Sequence, residues 1–363
     1  MNRAQVRTSA FAAVAVLAGS MLAACGSGGS GGSGSEAGGE GDLQNAKVAF
    51  LMPDLASTRY ELQDKPLFEA KMKQLCPTCQ VIYQNADSDA AKQQQQANSA
   101  LAQGVKAIVI DPVDSAAAAT IVKSAQSQQV PIIAYDRPIP ATPADYYISF
   151  DNEKIGSMIG QSLVDHLKAE KAEGGILQVN GSPTDAAAGL IKKGIHTAVD
   201  SSGFKLLAEY DTPDWQPEKA QTWVSGQITQ FKDEIAGVVA ANDGTGGGSI
   251  AAFKAAGVKV PPITGNDAEV AAAQRIISGD QYNTISKPIK IVAEASANAA
   301  WEFMQGKKPA GKAQLFNTPS ELFVPTVVTT ENIKEVLFDS GIMKAAEVCT
   351  GDYAKGCQEL GIQ

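Results

Sequence analysis

The chain has 363 residues, 44% of them hydrophobic and 19% charged, which allows two soluble domains and excludes collagen-like, disulfide-dense and wholly disordered chains. Its 30 basic residues against 39 acidic ones leave a net charge of −9, which disfavours a nucleic-acid phosphate backbone as partner and suits a small or neutral ligand. Only 2 histidines occur, His166 and His196, so there is little material for a His-rich metal site or a Ser-His-Asp triad.

Residues 1–24 carry Arg3 and Arg7, an apolar run from Ala10 to Ala18, and then Leu22-Ala23-Ala24 before Cys25. These are the charged, apolar and small-residue zones of an export signal, too short to span a bilayer stably. Leu-Ala-Ala-Cys resembles the lipobox of bacterial lipoproteins, which implies cleavage just before Cys25 and acylation of its thiol. Acyl chains contribute about 0.8 kcal/mol per buried CH₂, so two or three of them hold a soluble domain at the outer face of the cell membrane. A plain secretory signal with an incidental Cys is the alternative, disfavoured because Cys25 sits where cleavage is expected. Gly26 to Gly41 is almost entirely Gly and Ser, a composition that buries no apolar surface, so 25–44 reads as a lipidated Cys and a flexible tether. Gly-x-Ser-x-Gly and Gly-x-Gly-x-x-Gly both occur inside it, but neither joins a strand to a helix, and both are accidents of composition.

The other cysteines form two sequence-local pairs, Cys76 with Cys79 and Cys349 with Cys357, and two disulfides are expected in an oxidising compartment. A redox pair at Cys76 and Cys79 is the sharper alternative. A thioredoxin-type motif follows a strand and opens a helix, whereas this one follows a helical segment and precedes a strand, so a structural clip is favoured.

From Ala46 one unit recurs: a short β-branched run, a polar turn, and a segment of helical period. Strands are expected at Lys47 to Met52, Gln80 to Tyr83, Ala107 to Ile110 and Pro131 to Tyr135, separated by helices near Tyr60 to Leu75, Ala90 to Gln103 and Ser115 to Gln129. A second series places strands at Gly175 to Val179, Leu206 to Tyr210, Gly237 to Ala240 and Ile263 to Gly265. Its helices lie near Glu153 to Lys168, Ala186 to Val199, Pro217 to Gln230, Gly248 to Ala256 and Glu269 to Ser278, and a further one runs from Ile289 to Met304. Strands alternating with helices mean parallel sheets covered on both faces, so the fold class is α/β with two doubly wound, Rossmann-like domains. The tail beyond Val328 carries no reading other than packing on the hinge side.

In open α/β sheets a ligand sits beyond the carboxyl ends of the strands, and these ends carry Asp54, Asp111, Asp136-Arg137, Asn180, Asn242-Asp243 and Asn266-Asp267. Asp54 and Asp111 are read as helix N-caps. The other groups supply donors and acceptors together, and Trp215 adds a flat apolar face, the mixture a monosaccharide requires. A half-buried core indole is an equal reading of Trp215 alone, and Trp223 and Trp301 fit the core better.

Tyr135-Asp136-Arg137-Pro138-Ile139, Tyr147 to Gly156, Gly181-Ser182-Pro183-Thr184-Asp185, Asp214 to Glu218, Ala241 to Thr245 and Lys287-Pro288-Ile289 resemble the xylose-binding branch of the ribose- and galactose-binding-like receptors that feed ABC importers. The resemblance spans Ala46 to about Val328. It implies a type I periplasmic binding protein fold: two lobes, 45–149 with 288–322 and 150–287 with 323–363, joined by three crossings near Ile148 to Asp151, Lys287-Pro288 and Leu322 to Pro325. By matched motif, Arg59, Asp136 and Arg137 are the first lobe's sugar contacts, with Tyr60 as a stacking face where a Trp is usual. Asp185, Trp215, Asn242, Asp267 and Lys287 are those of the second lobe and hinge. The expected partners are a monosaccharide, xylose or a related pentose or hexose, and an ABC-importer permease with its ATPase. The membrane is met through the lipid anchor only, no nucleic acid, cofactor or metal is involved, and the protein acts as a monomer.

One departure concerns the helix after Gly-Ser-Pro-Thr-Asp. It opens with Asp185-Ala186-Ala187-Ala188-Gly189 where that branch has Asn side chains reaching the sugar, so donors are missing, space is gained, and a hexose competes with xylose. Three other classes share parts of this pattern. An enzyme lacks a nucleophile elbow, although Asp136 and Asp267 could form an acid/base pair. A sugar-responsive repressor lacks a DNA-reading headpiece. A signalling receptor would use the same binding chemistry.

Overall fold

A computed structural model describes residues 43–363; the expected signal segment 1–24, Cys25 and the expected tether through residue 42 lie outside the described residues. The larger sheet is built on β1 (Lys47–Met52), β2 (Gln80–Asn85), β3 (Ala107–Ile110), β4 (Ile132–Tyr135) and β5 (Tyr146–Phe150), all parallel. β1 and β3 to β5 are almost continuously apolar and buried on both faces, as a parallel sheet layered by helices requires. α1 (Lys65–Leu75), entered through a wide turn at Tyr60–Asp64, packs on one face, and α2 (Ala90–Ala102) and α3 (Ala119–Ser127) on the other.

After β5 the chain enters α4 (Asn152–Ala169) and builds a smaller sheet from β6 (Gly175–Asn180), β7 (Lys205–Asp211) and β8 (Ile235–Ala240), in the order β7-β6-β8. α4 and α5 (Ala186–Val199) cover one face, and α6 (Pro217–Phe231) and α7 (Asp243–Ala255) the other. The strand expected at Ile263 to Gly265 shrinks to an isolated bridge between Val238 and Ile263. Pro261 and Pro262 before it offer no N–H, and the positive φ of Asp267 (104°) and Ala268 (51°) soon turns the chain away into α8 (Val270–Ser278).

β9 (Thr284–Ser286) leads into α9 (Ile289–Met304), which packs on α1. β10 (Ala313–Leu315) and β11 (Thr318–Phe323) then join the larger sheet, whose order is β10-β11-β5-β4-β3-β1-β2. β12 (Thr326–Val328) returns to pair antiparallel with β9. The chain thus crosses between the sheets three times: from β5 to α4, from β9 to α9 and from β11 to β12. Sequence periodicity did not reveal β5, β9 or β10 to β12, because they are short or lie in what reads as crossing segments.

The tail, with α10 (Ala345–Val348) and α11 (Ala354–Glu359), packs Ile333, Leu337, Met343, Val348 and Ile362 against Ile276 of α8 and Val328 of β12. Cys349–Cys357 closes this unit and Cys76–Cys79 clips the turn between α1 and β2, so both local pairs are disulfides.

α4 and α5 approach backbone to backbone. A Cβ on Gly156 would stand 1.9 Å from the Ile191 carbonyl oxygen, and one on Gly194 2.1 Å from that of Glu153. Gly156→Ala is therefore expected to force the helices apart and cost about 1–3 kcal/mol or more, read as a lowered urea midpoint with unchanged slope.

Candidate ligand-binding site

The carboxyl ends of the two sheets face one narrow, polar-lined cavity of about 30 Å³. All nine side chains expected there line it: Arg59, Tyr60, Asp136 and Arg137 from the larger sheet, and Asp185, Trp215, Asn242, Asp267 and Lys287 from the smaller sheet and the crossing. Asn266, the partner of Asp267 at its strand end, lines it as well, as do Ser57, Asn152, Ala187 and Ile191, which the sequence does not mark as ligand contacts. Asn152 is legible in the sequence only as a member of the Tyr147 to Gly156 motif; its Nδ2 donates to Tyr147 Oη at 3.2 Å and Ser149 Oγ at 3.4 Å. Ala187 and Ile191 are one helical turn apart on α5, so they share its cavity face.

Arg137 is 5% exposed and sits in a ring of oxygen atoms. Its guanidinium donates to Asp54 Oδ2 at 2.7 Å, the Pro112 carbonyl at 3.2 Å and Tyr60 Oη at 3.3 Å. Its Nε lies 3.2 Å from Asp185 Oδ2 and 3.4 Å from Asp111 Oδ1, so Arg137 ties the two sheets together. The cap reading of Asp54 and Asp111 is corrected here. Asp54 does accept the Ser57 N–H at 3.1 Å, but its other oxygen holds Arg137. Asp111 caps nothing: Asp114 takes the Ala116 and Ala117 N–H groups, and Asp111 faces the guanidinium.

Arg59 is the second buried cation, 3.0 Å from Asp136, 3.4 Å from Asp64 and 3.8 Å from Asp267 across the cavity. Lys287 meets the same Asp267 carboxylate at 2.7 Å. Asp136 holds its place through a left-handed backbone (φ 59°), with its carbonyl accepting from Tyr147 and Ser149 hydroxyls at 2.8 and 2.9 Å.

On the other wall Asp185 caps α5, accepting the Ala187 N–H at 2.7 Å, and its second oxygen accepts the Trp215 indole N–H at 3.0 Å. Trp215 is 7% exposed, and both it and Asp214 have φ 56°, a conformation uncommon outside glycine that marks functional sites. Its ring fits only because residue 181 is Gly: a Cβ there would stand 2.1 Å from two indole carbons. Asn242, which lines the cavity, spends its Oδ1 on capping α7 through Thr245; Asn266 Oδ1 is buried with no partner in the protein.

Burial opposes the charge of both arginines, yet the surrounding carboxylates hold their pKa values well above the ordinary one. Asp136 is pushed up by burial but pulled further down by Arg59, Lys287 and Arg137, and stays below the carboxylate range. In Asp185 and Asp111 burial outweighs Arg137 and raises the pKa. Burial also lifts Asp64, which accepts from the Tyr135 hydroxyl, to about 6 against the pull of Arg59. A folded pKa above the unfolded one means that Asp64 favours folding when protonated, and that this contribution is lost as pH rises from about 4 through 6. Asp64→Asn is therefore expected to gain on the wild type by about 2–3 kcal/mol between pH 4 and 7 in paired denaturation curves.

The histidines lie elsewhere: His166 stacks on Tyr282 at 4.2 Å and His196 pairs with Asp200 and Glu209. Among the described residues no group of three metal-ligating side chains gathers, and no helix is long and apolar enough to cross a membrane. A larger groove of about 870 Å³ lies at the amino ends of the smaller sheet's strands, between His166, Ile228, Phe253 and Pro262, without a comparable set of convergent buried polar groups.

Comparison with known proteins is consistent across most of the chain. Residues 48–308 match the periplasmic binding protein domain. The chain is 33% identical over 315 residues to the D-xylose-binding periplasmic protein of Escherichia coli (strain K12), covering 84% of this chain and 93% of the relative. It is 32% identical over 308 residues to the protein of the same description in Haemophilus influenzae (strain ATCC 51907 / DSM 11121 / KW20 / Rd), covering 82% and 90%. A carbohydrate transporter solute binding protein from Chloroflexus aurantiacus, solved in complex with D-glucose, superposes with TM-score 0.76 at 25% identity, over 83% of this chain and 97% of that one.

Proposed function

The chain belongs to the periplasmic binding protein family, and from that premise we propose that it captures one uncharged monosaccharide in the cavity and presents it to the permease and ATPase of an ABC importer. The observation that carries this reading is the meeting of polar side chains from residues 59–137 and 185–287 around one small cavity between the two sheets. Arg59, Asp136, Arg137, Asp185, Asn242, Asp267 and Lys287 supply the donors and acceptors, and Tyr60 and Trp215 the apolar faces. Arg59, Arg137 and Lys287 stand among six carboxylates, those of Asp54, Asp64, Asp111, Asp136, Asp185 and Asp267, so an anionic ligand would meet repulsion. Hydroxyl groups, which donate and accept together, suit this alternation.

The lobes 45–149 with 288–322 and 150–287 with 323–363 would hinge at the three crossings, the sugar favouring the closed state by contacting both. The relatives are named for a pentose and the solved neighbour holds a hexose, so both classes are in play. Cys25 would carry the lipid that keeps the protein on the outer face of the cell membrane, and the bound sugar leaves unchanged. The test is a thermal-shift panel of pentoses and hexoses, followed by small-angle scattering with the best sugar. One member should raise the melting temperature by mass action and shrink the radius of gyration. No shift with any sugar, or a reaction product in the NMR spectrum, would defeat the reading.

A further inference from the structure

Two hydrogen-bonded contacts span the cleft outside the cavity. On one rim the Ser115 N–H donates to the Thr184 carbonyl at 2.9 Å, and Ser115 Oγ accepts the Ala186 N–H at 3.1 Å. Ser115 follows β3 on the larger sheet, whereas Thr184 and Ala186 flank Asp185 at the start of α5 on the smaller one. On the other rim Thr58 Oγ1 donates to Glu269 Oε1 at 3.4 Å. None of these residues lines the cavity.

We propose that Ser115 and Glu269 are positioning residues that set sugar affinity by clasping the two lobes in the closed state, without touching the sugar. This rests on the sugar-binding reading above. Local capping does not account for Ser115: Asp114 Oδ1 already takes the Ala116 and Ala117 N–H groups, both at 2.8 Å. Nor can α5 satisfy its own first turn. Asp185 takes the Ala187 N–H, and the Ala186 N–H, one of the donors a helix start leaves unpaired, finds its acceptor only across the cleft. Apparent affinity scales with the fraction of molecules in the binding-competent state, so a bond present only on closing acts on affinity at a distance. One such bond changes that fraction by about twofold to tenfold.

The Glu269 clasp differs because it titrates. Asp267 faces Glu269 from the same loop, Asp243 from the start of α7, accepting the Glu269 N–H at 2.9 Å, and Arg275 from α8; Thr58 is the group across the cleft. Burial first, and then Asp267, lift the Glu269 carboxyl to about 7 against Arg275 and Thr58. Opening the cleft rehydrates the side chain and lowers that value, so the closed state holds the proton more firmly. Closure is favoured at low pH, and affinity falls as pH rises to about 7 and levels above it. Asp243, lifted to about 8 by burial and then by Glu269 itself, is held by Gln281 and Thr284 of the same lobe, so the pH profile of Glu269→Gln is read against that of Asp243→Asn, which keeps the Glu269 carboxyl.

The test is calorimetry and stopped-flow binding of D-xylose and D-glucose to wild type, Ser115→Ala, Ser115→Thr, Glu269→Gln and Asp243→Asn from pH 5 to 8. Ser115→Ala should weaken binding by about threefold to tenfold through faster dissociation, with the association rate, the pH profile and the sugar-free melting temperature unchanged. Ser115→Thr should restore affinity, and Glu269→Gln, but not Asp243→Asn, should flatten the fall with pH. Wild-type affinity in Ser115→Ala, a loss matched by a lower sugar-free melting temperature, or an intact pH profile in Glu269→Gln would overturn the assignment for the residue concerned. If the wild type bound neither sugar, the sugar reading would fail instead. The clasp would then be judged by the minor closed population in spin-label distance distributions between the lobes, which must fall in Ser115→Ala and would refute it if unchanged.

Discussion

Arg137→Ala is expected to lower sugar affinity by two or more orders of magnitude and to destabilise the sugar-free protein by about 3–5 kcal/mol. The size of the effect follows from what the guanidinium leaves behind. Asp54, Asp111 and Asp185 are 3%, 0% and 4% exposed, and each has Arg137 as its cationic partner within 3.4 Å. Removing the cation strands three buried carboxylates, and a stranded charge costs more than the intact pair contributes. It also removes the donor that joins the larger sheet to Asp185, so closure and ligand contact fail together. Arg137→Lys should recover only part of the loss, because one ammonium cannot present the planar fork that reaches Asp54, Asp185 and the Pro112 carbonyl at once. Calorimetry and urea denaturation read the two effects separately, and an alanine variant with near wild-type affinity would remove Arg137 from the site.

Trp215→Ala is expected to cost about 2–4 kcal/mol of binding free energy, a thirtyfold to thousandfold weaker complex. The indole is the one large flat face on its wall of the cavity, and its N–H holds Asp185 in place. Gly181→Ala should reproduce most of this loss with Trp215 still present, since the added methyl occupies the ring's position. Indole fluorescence in Gly181→Ala should shift to the red as the ring moves towards water. An affinity unaffected by either substitution would return Trp215 to the role of a core side chain.

Much of the fold was legible because both periodicities are strong where burial is complete. The apolar runs at Val48 to Met52, Ala107 to Ile110 and Ile132 to Tyr135 are buried on both faces, and the helices observed from Asn152 and Ala186 start within one residue of the expected positions, capped by Asp151 and Asp185. The short strands at Thr284 to Ser286 and Ala313 to Leu315 carry too few residues for a period to register. Ile263 to Gly265 showed the pattern of a strand yet formed a single bridge, because prolines precede it and a left-handed turn follows.

From the residues alone came the strand–helix alternation, the two local disulfides, and the inventory of Asp, Asn, Arg and Trp at strand ends, since each of these depends on neighbours a few positions apart. Tertiary structure alone decided which of those groups face the ligand and which stand behind them. Asp54 and Asp111 looked like caps, but hold Arg137; Asn242 is cap and cavity wall at once; Ser115 and Glu269, silent in the sequence, meet partners 71 and 211 residues away in Ala186 and Thr58. The physical reason is range: caps and periodicity are local free energies, whereas the pairing of buried charges is fixed only when distant segments exclude water from the same volume.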